Sequence, residues 1–168
     1  LIVSHKCDYR IISLFSQTIE DLAEGEMLQM QRADDCTTTF DDYTAIIYRK
    51  TASLFISSMC TVAVAEGASK EVEEGIRKFA HCLGISFQMR DDILDYSATI
   101  QDGKDVGSDL AERKITLPLL CAFENCPEKE GYIRSLIRDI DVTKGADQTR
   151  NTEIIKEVRQ YVLDNNGV

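Results

Sequence analysis

The chain has 168 residues, with 19 lysines and arginines against 29 aspartates and glutamates, a formal charge of −10. That length suits one domain with a sizeable core, and 43% hydrophobic with 29% charged residues is ordinary globular composition, which excludes bulk disorder. The lack of a basic excess argues against nucleic acid as a partner, and any phosphate has to be held through a metal ion and a few placed lysines. The six cysteines, at 7, 36, 60, 82, 121 and 126, form no C-x-x-C pair, and His5 and His81 lack ligand spacing, which argues against zinc. Cys60 and Cys82 fall in apolar helical runs and read as buried free thiols of a reducing compartment, the cytoplasm. The longest apolar run, Ser53 to Ala65, is too short and too rich in serine and threonine to span a bilayer, so no stable membrane insertion is expected. A start at Leu1 and a finish on Asn165-Asn166-Gly167-Val168 set the expectation of a piece of a longer protein, incomplete at both ends.

Only two prolines and nine glycines interrupt the chain, so helices can run unbroken. The spacing of Ile11, Phe15, Ile19 and Leu22 predicts a helix from Asp8 to about Gln31, with Gly25 a weak point inside it. Arg32 to Thr39 reads as a polar turn. A second helix opens near Thr39 or Asp41 on short capping side chains, carries Ile46, Ile47, Leu54, Phe55, Met59 and Val62, and ends at Gly67. Ser69 caps a third, with Glu71, Glu73 and Glu74 in the first turn, where acids favour the helix dipole, and it runs to about Ile100. Gln101 to Ser108 reads as a loop. Leu117-Pro118 then opens a helix to Glu124, and two amphipathic helices follow at about 128–140 and 152–164. With no strand-like alternation and no repeat of fixed period, the expectation is a single all-α domain over 1–168.

The stretch Gly84 to Asp95 reads GISFQMRDDILD, and Asp91, Asp92 and Asp95 at i, i+1 and i+4 share one side of a helix. With 16 aspartates in 168 residues, chance alone puts such a triplet in roughly one chain in seven, so the triplet by itself is weak. Its surroundings say more. At 100° per residue, Gln88, Asp91, Asp92 and Asp95 fall within about 100° of arc. Ile76, Leu83, Phe87 and Leu94 lie on one flank, and Ile85, Met89, Ile93 and Tyr96 on the other. Acids walled by apolar residues in a part-buried groove repel one another and require a cation. Oxygen-only donors point to magnesium, which binds through one or two carboxylates and substrate phosphates. A di-iron site is excluded, because neither histidine follows a glutamate by three residues. A structural acid cluster is the competing account.

Three lysines fall where such a clamp wants them. Lys104 lies in the loop after the acidic helix, Lys114 ten residues beyond it, and Lys50 in the middle of the second helix, followed by Thr51. A cation among Thr44, Ile47, Leu54 and Phe55 needs a partner, which the acidic helix can supply directly or through a bound anion. The ordinary alternative is that each lysine extends to solvent.

Taken together, AEGEMLQ with Gly25, Glu26 and Gln29, YRKTASLF with Lys50-Thr51, FQMRDDILDY from Phe87 to Tyr96, and GKDVGSDLAERKITLPLL from Gly103 to Leu120 resemble the trans-isoprenyl diphosphate synthases, specifically the long-chain polyprenyl (octaprenyl-like) branch. The segments occur in the family's order over about Glu20 to Leu120. The resemblance implies a helical bundle of the isoprenoid synthase type, a homodimer, magnesium as cofactor, and isopentenyl diphosphate and an allylic diphosphate as substrates. It implies that Asp91, Asp92 and Asp95 form the second aspartate-rich motif, which holds magnesium against the allylic diphosphate, and that Asp109 supports the ion through its waters. Lys50, Lys104 and Lys114 match the residues that contact the diphosphate. Thr51 and Gln88, with the backbone near Lys50, match groups that orient the allylic cation, and Gln29 matches a cavity-facing position.

The sequence also departs from the family. Nothing before Asp8 can serve as the first aspartate-rich motif, and Asp34-Asp35 and Asp41-Asp42 lack a third aspartate. The expectation is therefore the central-to-C-terminal half of a prenyltransferase, carrying one of two metal clamps and inactive by itself. Three alternatives stand beside it: a non-catalytic partner subunit of a heteromeric prenyltransferase, a short-chain farnesyl or geranylgeranyl diphosphate synthase, and a helical interaction module with an acidic groove.

Overall fold

The computed structural model describes residues 8–97, 107–143 and 148–168. In chain order these form α1 (Tyr9–Asp35), α2 (Phe40–Ile47), a π-helical turn (Tyr48–Ala52), α3 (Ser53–Ala65), α4 (Lys70–Ser97), α5 (Ser108–Ala111), α6 (Leu117–Asn125), a 3-10 turn (Pro127–Lys129), α7 (Glu130–Arg138) and α8 (Gln148–Asp164). Among the described residues there is no strand, and the all-α expectation holds. The chain divides into two compact units, Leu1–Leu28 with Thr44–Gln88, and Gln29–Tyr43 with Met89–Val168.

In the first unit, Ile56 and Cys60 of α3 meet Ala80 of α4, with Leu14, Tyr48, Phe55, Met59 and Ile76 packed against them. Two glycines set how closely the helices approach. A Cβ on Gly84 would lie 2.6 Å from Ala52 Cα, and one on Gly25 would lie 2.7 Å from Arg49 Cβ and 2.8 Å from Lys50 Cγ. Gly25 is thus no weak point in its helix but a notch that admits the π turn, a contact no local sequence signal announces. Helix α3 ends at Ala65 and Gly67 closes it, as expected of a stop at that glycine: at φ +70° the left-handed glycine lets Ala68 N–H reach Ala63 O (3.0 Å) and Gly67 N–H reach Val64 O (3.1 Å). Ser69 caps α4 through Val72 N–H to Ser69 Oγ, 3.3 Å. Cys60 is buried as expected, but Cys82 is exposed, because it lies two residues past Ala80, on the opposite side of α4 from the core stripe. All five described cysteines are free thiols.

In the second unit, α8 packs on α5, α6 and α7. Its buried residues Ile154, Val158, Tyr161 and Val162 follow the helical period, as do Ile133 and Ile137 of α7. Helix α1 runs four residues beyond the expected end at Gln31, through Asp34 and Asp35, acids that the dipole disfavours at a C-terminus. Its last carbonyl and those of the turn after it are met from a distance instead. Arg138 Nη2 donates to Asp35 O (3.1 Å), and Arg134 donates to Cys36 O (2.7 Å) and Thr38 O (3.1 Å) with its guanidinium 4.7 Å over the Phe123 ring. The short turn that remains holds a fully buried thiol, Cys36, in the left-handed region at φ 53°, so it is not simply a polar turn. Helix α5, one turn long, lies in a stretch read as loop and approach to the next helix.

Candidate functional site

The second unit gathers most of the acids. Asp92 is 3% exposed, Asp95 and Asp109 are half-buried, and Asp91 is exposed. An ionised carboxylate as buried as Asp92 needs donors, and Tyr43 Oη donates to its Oδ2 at 2.7 Å. Tyr43 is itself buried; burial first, then the hydrogen bond and charge of Asp92, push its phenol far above the ordinary range, so it stays a donor. Its place at the start of α2 is set by a capping box. Thr39 Oγ1 accepts from Asp42 N–H (3.2 Å), Thr39 N–H donates back to Asp42 Oδ2 (3.0 Å), and Arg32 Nε lies 3.0 Å from Asp42 Oδ1. Although burial pushes Asp42 up, the Thr39 donors and Arg32 carry it below its usual range.

Asp95 serves the start of α5. Its Oδ1 accepts from Ser108 N–H (3.1 Å) and Ser108 Oγ (2.8 Å), and its Oδ2 from Asp109 N–H (3.3 Å). Burial, then the charges of Asp95 and Asp92, push the Asp109 carboxyl up to about 6, against the pull of Lys114. Lys114 Nζ lies 2.6 Å from Glu112 Oε2 and 3.8 Å from Asp109 Oδ1. Tyr96, 1% exposed, buries its hydroxyl with no hydrogen bond among the described residues; the neighbouring Thr116 hydroxyl lies outside hydrogen-bonding geometry.

In the first unit, Thr51 Oγ1 donates to Gln88 Oε1 at 2.8 Å, joining two residues to which the family resemblance gives one role. Lys50 Nζ lies 2.5 Å from Glu26 Oε2 and Arg49 Nε 3.2 Å from Glu24 Oε2, so the partner found for Lys50 comes from α1. Lys50 and Thr51 both sit in the π turn, closed by Ser53 N–H on Tyr48 O, a widened turn of the kind that recurs at functional sites. Gln29 is half-buried on α1, and Lys104 lies outside the described residues.

The donor set fits a hard divalent cation: oxygens only, on acids close enough that their charges help lift one of them to about 6. The described side chains are not gathered for it, since no three described carboxylates stand together at metal-holding distance. Asp92 Oδ2 accepts from Tyr43, and both Asp95 oxygens accept from the start of α5, so both carboxylates are already hydrogen-bonded within the second unit. The apolar walls expected around the acids are less enclosing than the helical wheel suggests: Leu83, Phe87, Ile93 and Leu94 are all exposed, whereas Tyr96 is buried. Sequence reasoning missed two residues, Tyr43 and Glu26. Glu26 lies in a quoted motif, but only the fold pairs it with Lys50. Tyr43 stands 49 residues from Asp92 and has no local signal.

The polyprenyl synthetase family model matches residues 1–158. The chloroplastic solanesyl-diphosphate synthase 2 of Oryza sativa subsp. japonica is 36% identical over 164 residues, 92% of this chain and 41% of the relative. The octaprenyl diphosphate synthase of Escherichia coli (strain K12) is 38% identical over 130 residues, 76% of this chain and 40% of the relative. Among solved structures, the heptaprenyl diphosphate synthase from Staphylococcus aureus aligns at TM-score 0.76 and 30% identity over 94% of this chain and 49% of its own. The geranylgeranyl pyrophosphate synthase from Bacteroides thetaiotaomicron aligns at TM-score 0.81 and 30% identity over 98% of this chain and 52% of its own. The chain spans about two fifths of the length of these curated relatives. On the match of the family model and the shared fold, the chain belongs to the polyprenyl synthetase family.

Proposed function

We propose that the chain is the part of a trans-polyprenyl diphosphate synthase that binds an allylic diphosphate and assists its ionisation. The whole protein condenses isopentenyl diphosphate with that allylic diphosphate into a long all-trans polyprenyl diphosphate. The observation that carries this reading is the placing of Asp91, Asp92 and Asp95 around a half-buried Asp109, whose carboxyl burial and their charges push up, beside Lys114, in a stretch aligned with relatives named octaprenyl and solanesyl diphosphate synthase. The 168 residues are read as the central-to-C-terminal stretch of one all-α domain.

In this reading Asp91, Asp92 and Asp95 would hold magnesium, with Asp109 supporting it through its waters. When bound, the ion supplies positive charge matched to the charge that grows on the departing diphosphate. Lys50, Lys104 and Lys114 bind the diphosphate oxygens, and Glu26 and Glu112 hold Lys50 and Lys114 until it arrives. The Thr51–Gln88 pair and the backbone of the π turn orient the allylic end, and Gln29 faces the cavity. Loss of diphosphate leaves an allylic carbocation, the double bond of isopentenyl diphosphate attacks it, and a proton leaves. A homodimer is supported by the exposed apolar residues Ile12, Phe15 and Ile19 on α1, and a cytoplasmic setting by the free thiols. No described helix is long and apolar enough to cross a membrane.

Calorimetric titration of the chain with farnesyl diphosphate tests this. Binding is expected with magnesium, lost in EDTA, and weakened by about tenfold or more in Asp91→Asn. Binding that ignores magnesium, or no binding at all, overturns the reading.

A further inference from the structure

We propose that a cleft in the first unit, at the far end of α3 from Lys50, binds an anionic amphiphile: a long-chain carboxylate whose tail lies on an apolar floor and whose head is taken by Arg77. The cleft holds about 450 Å³, inside the range of about 300–1,000 Å³ in which proteins bind small molecules. Helices α1, α3 and α4 all contribute to it. Its floor is Leu14, Cys60 and Val64, and Leu14 and Cys60 belong to the core in which Ile56 meets Ala80, so the cleft opens directly onto that core. Val64 lies about four helical turns beyond Lys50, about 20 Å along the axis, so the site is separate from the diphosphate lysine and does not rest on the synthase reading.

The rim is charged, and its ion pairs are unevenly shared. Arg10 is held by Asp8 at 2.9 Å and by Glu73 at 2.9 Å, and Glu74 is held by Lys78 at 3.0 Å. Both carboxylates of the rim are thus committed, and Lys70 and Arg77 make no ion pair among the described residues. The three cations that line the cleft, Arg10, Lys70 and Arg77, face two carboxylates, Glu73 and Glu74, which leaves one positive charge. That balance suits a singly charged head and not a phosphate dianion. Burial pushes the Cys60 thiol up and the Arg77 charge pulls against it, so this guanidinium acts on the floor of the cleft itself. A planar guanidinium takes a carboxylate through two parallel N–H donors, and the aliphatic stems of Arg77 and Lys70 extend the apolar wall along a tail. In a chain of net charge −10, an arginine without an ion pair above an apolar floor rewards head and tail together. A bare anion gains nothing from the floor, and an alcohol gains little from the arginine.

Calorimetric titration of the chain with decanoate in EDTA tests this, the chelator keeping magnesium-dependent binding silent. Saturable binding is expected, weakened by about tenfold or more in Arg77→Gln and only partly restored by Arg77→Lys, which keeps the charge without the paired donors. Ser13→Trp, which sets a large ring into the cleft from the exposed side of α1, is expected to weaken it as well. Acetate, which lacks the tail, and decanol, which lacks the charge, are each expected to bind at least about tenfold more weakly than decanoate. Acetate binding as tightly as decanoate shows a loose anion contact, and decanol binding as tightly shows an apolar surface that reads no head; either overturns the proposal. No binding of decanoate, or an affinity unchanged in Arg77→Gln, overturns it too. Lys50→Gln is expected to leave decanoate affinity unchanged, and a loss there puts the carboxylate at the diphosphate lysine and defeats the cleft. A chain that binds decanoate but not farnesyl diphosphate with magnesium keeps this proposal and loses the synthase reading, so the two fail separately.

Discussion

Gly84 is the position at which adding a single methyl group should reveal how tightly the first unit is built. In α4 an alanine gains helix propensity of about 1 kcal/mol over glycine. Against that, the new Cβ would lie 2.6 Å from Ala52 Cα, 3.0 Å from Ala52 Cβ and 3.3 Å from Ala52 N, two of them backbone atoms that cannot swing aside. Carbon atoms pack best at about 3.5–4.0 Å, so α4 has to retreat by about 1 Å, thinning the contact of Ala80 with Ile56 and Cys60. Overpacking of this kind costs about 1–3 kcal/mol, and a rigid receiver puts this case toward the upper end, for a net loss of about 1–2 kcal/mol. A methyl group added at Gly75, on the same helix, would meet nothing within 4 Å, so Gly75→Ala keeps the propensity gain alone. At about 2–4 °C per kcal/mol for a chain of this size, thermal unfolding by circular dichroism should show Gly84→Ala melting about 2–8 °C low and Gly75→Ala about 2–4 °C high. Because propensity is common to both, equal shifts in the two variants would refute the close approach at Ala52.

Tyr96→Phe removes a buried hydroxyl that makes no hydrogen bond among the described residues, so urea unfolding is expected to show no loss or a gain of about 1 kcal/mol; a loss larger than that means the hydroxyl has a partner. The folded Asp109 carboxyl titrates at about 6, above its ordinary value of 3.8, so the folded state holds that proton more tightly than the unfolded one. Its contribution is therefore most favourable below about pH 4 and is lost as the pH rises from about 4 to about 6, by about 2–3 kcal/mol without metal. Asp109→Asn should flatten metal-free stability across that window, and an unchanged slope would place the effect on another group. Incubated with isopentenyl diphosphate, farnesyl diphosphate and magnesium, the chain by itself is expected to yield no elongated product; labelled product above background would overturn the expectation that it lacks an essential half of the site.

What is legible in the sequence is what is local in physics. Ser69 and Gly67 announce a cap and a stop because each acts within a few residues of itself. The acid stripe is visible because helical spacing fixes which side chains share a face. The length of α1 is not legible, since its last carbonyl, that of Asp35, is met by Arg138, and the turn after it by Arg134, about a hundred residues away. Gly25 and Gly84 read as ordinary helix-weakening glycines until the neighbouring helix is in place. Tyr43 illustrates the same limit at the candidate site: the carboxylate it serves lies 49 residues downstream.

The π turn at Tyr48–Ala52 has a consequence for insertions and deletions. One extra residue in a helix rotates everything beyond it by about 100°. Ile46 and Ile47 before the turn and Ile56 and Cys60 after it are all buried, so both flanks are in register with the core only while the extra residue is present. Deleting one residue would heal the backbone into a plain α-helix and swing Ile56 and Cys60 out of line with Ala80. Single-residue deletion across 48–52 should thus be lethal to folding, although it makes the helix locally more regular. The wide turn that carries Lys50 and Thr51 is locked by length, and substitution can tune its side chains without being able to remove it.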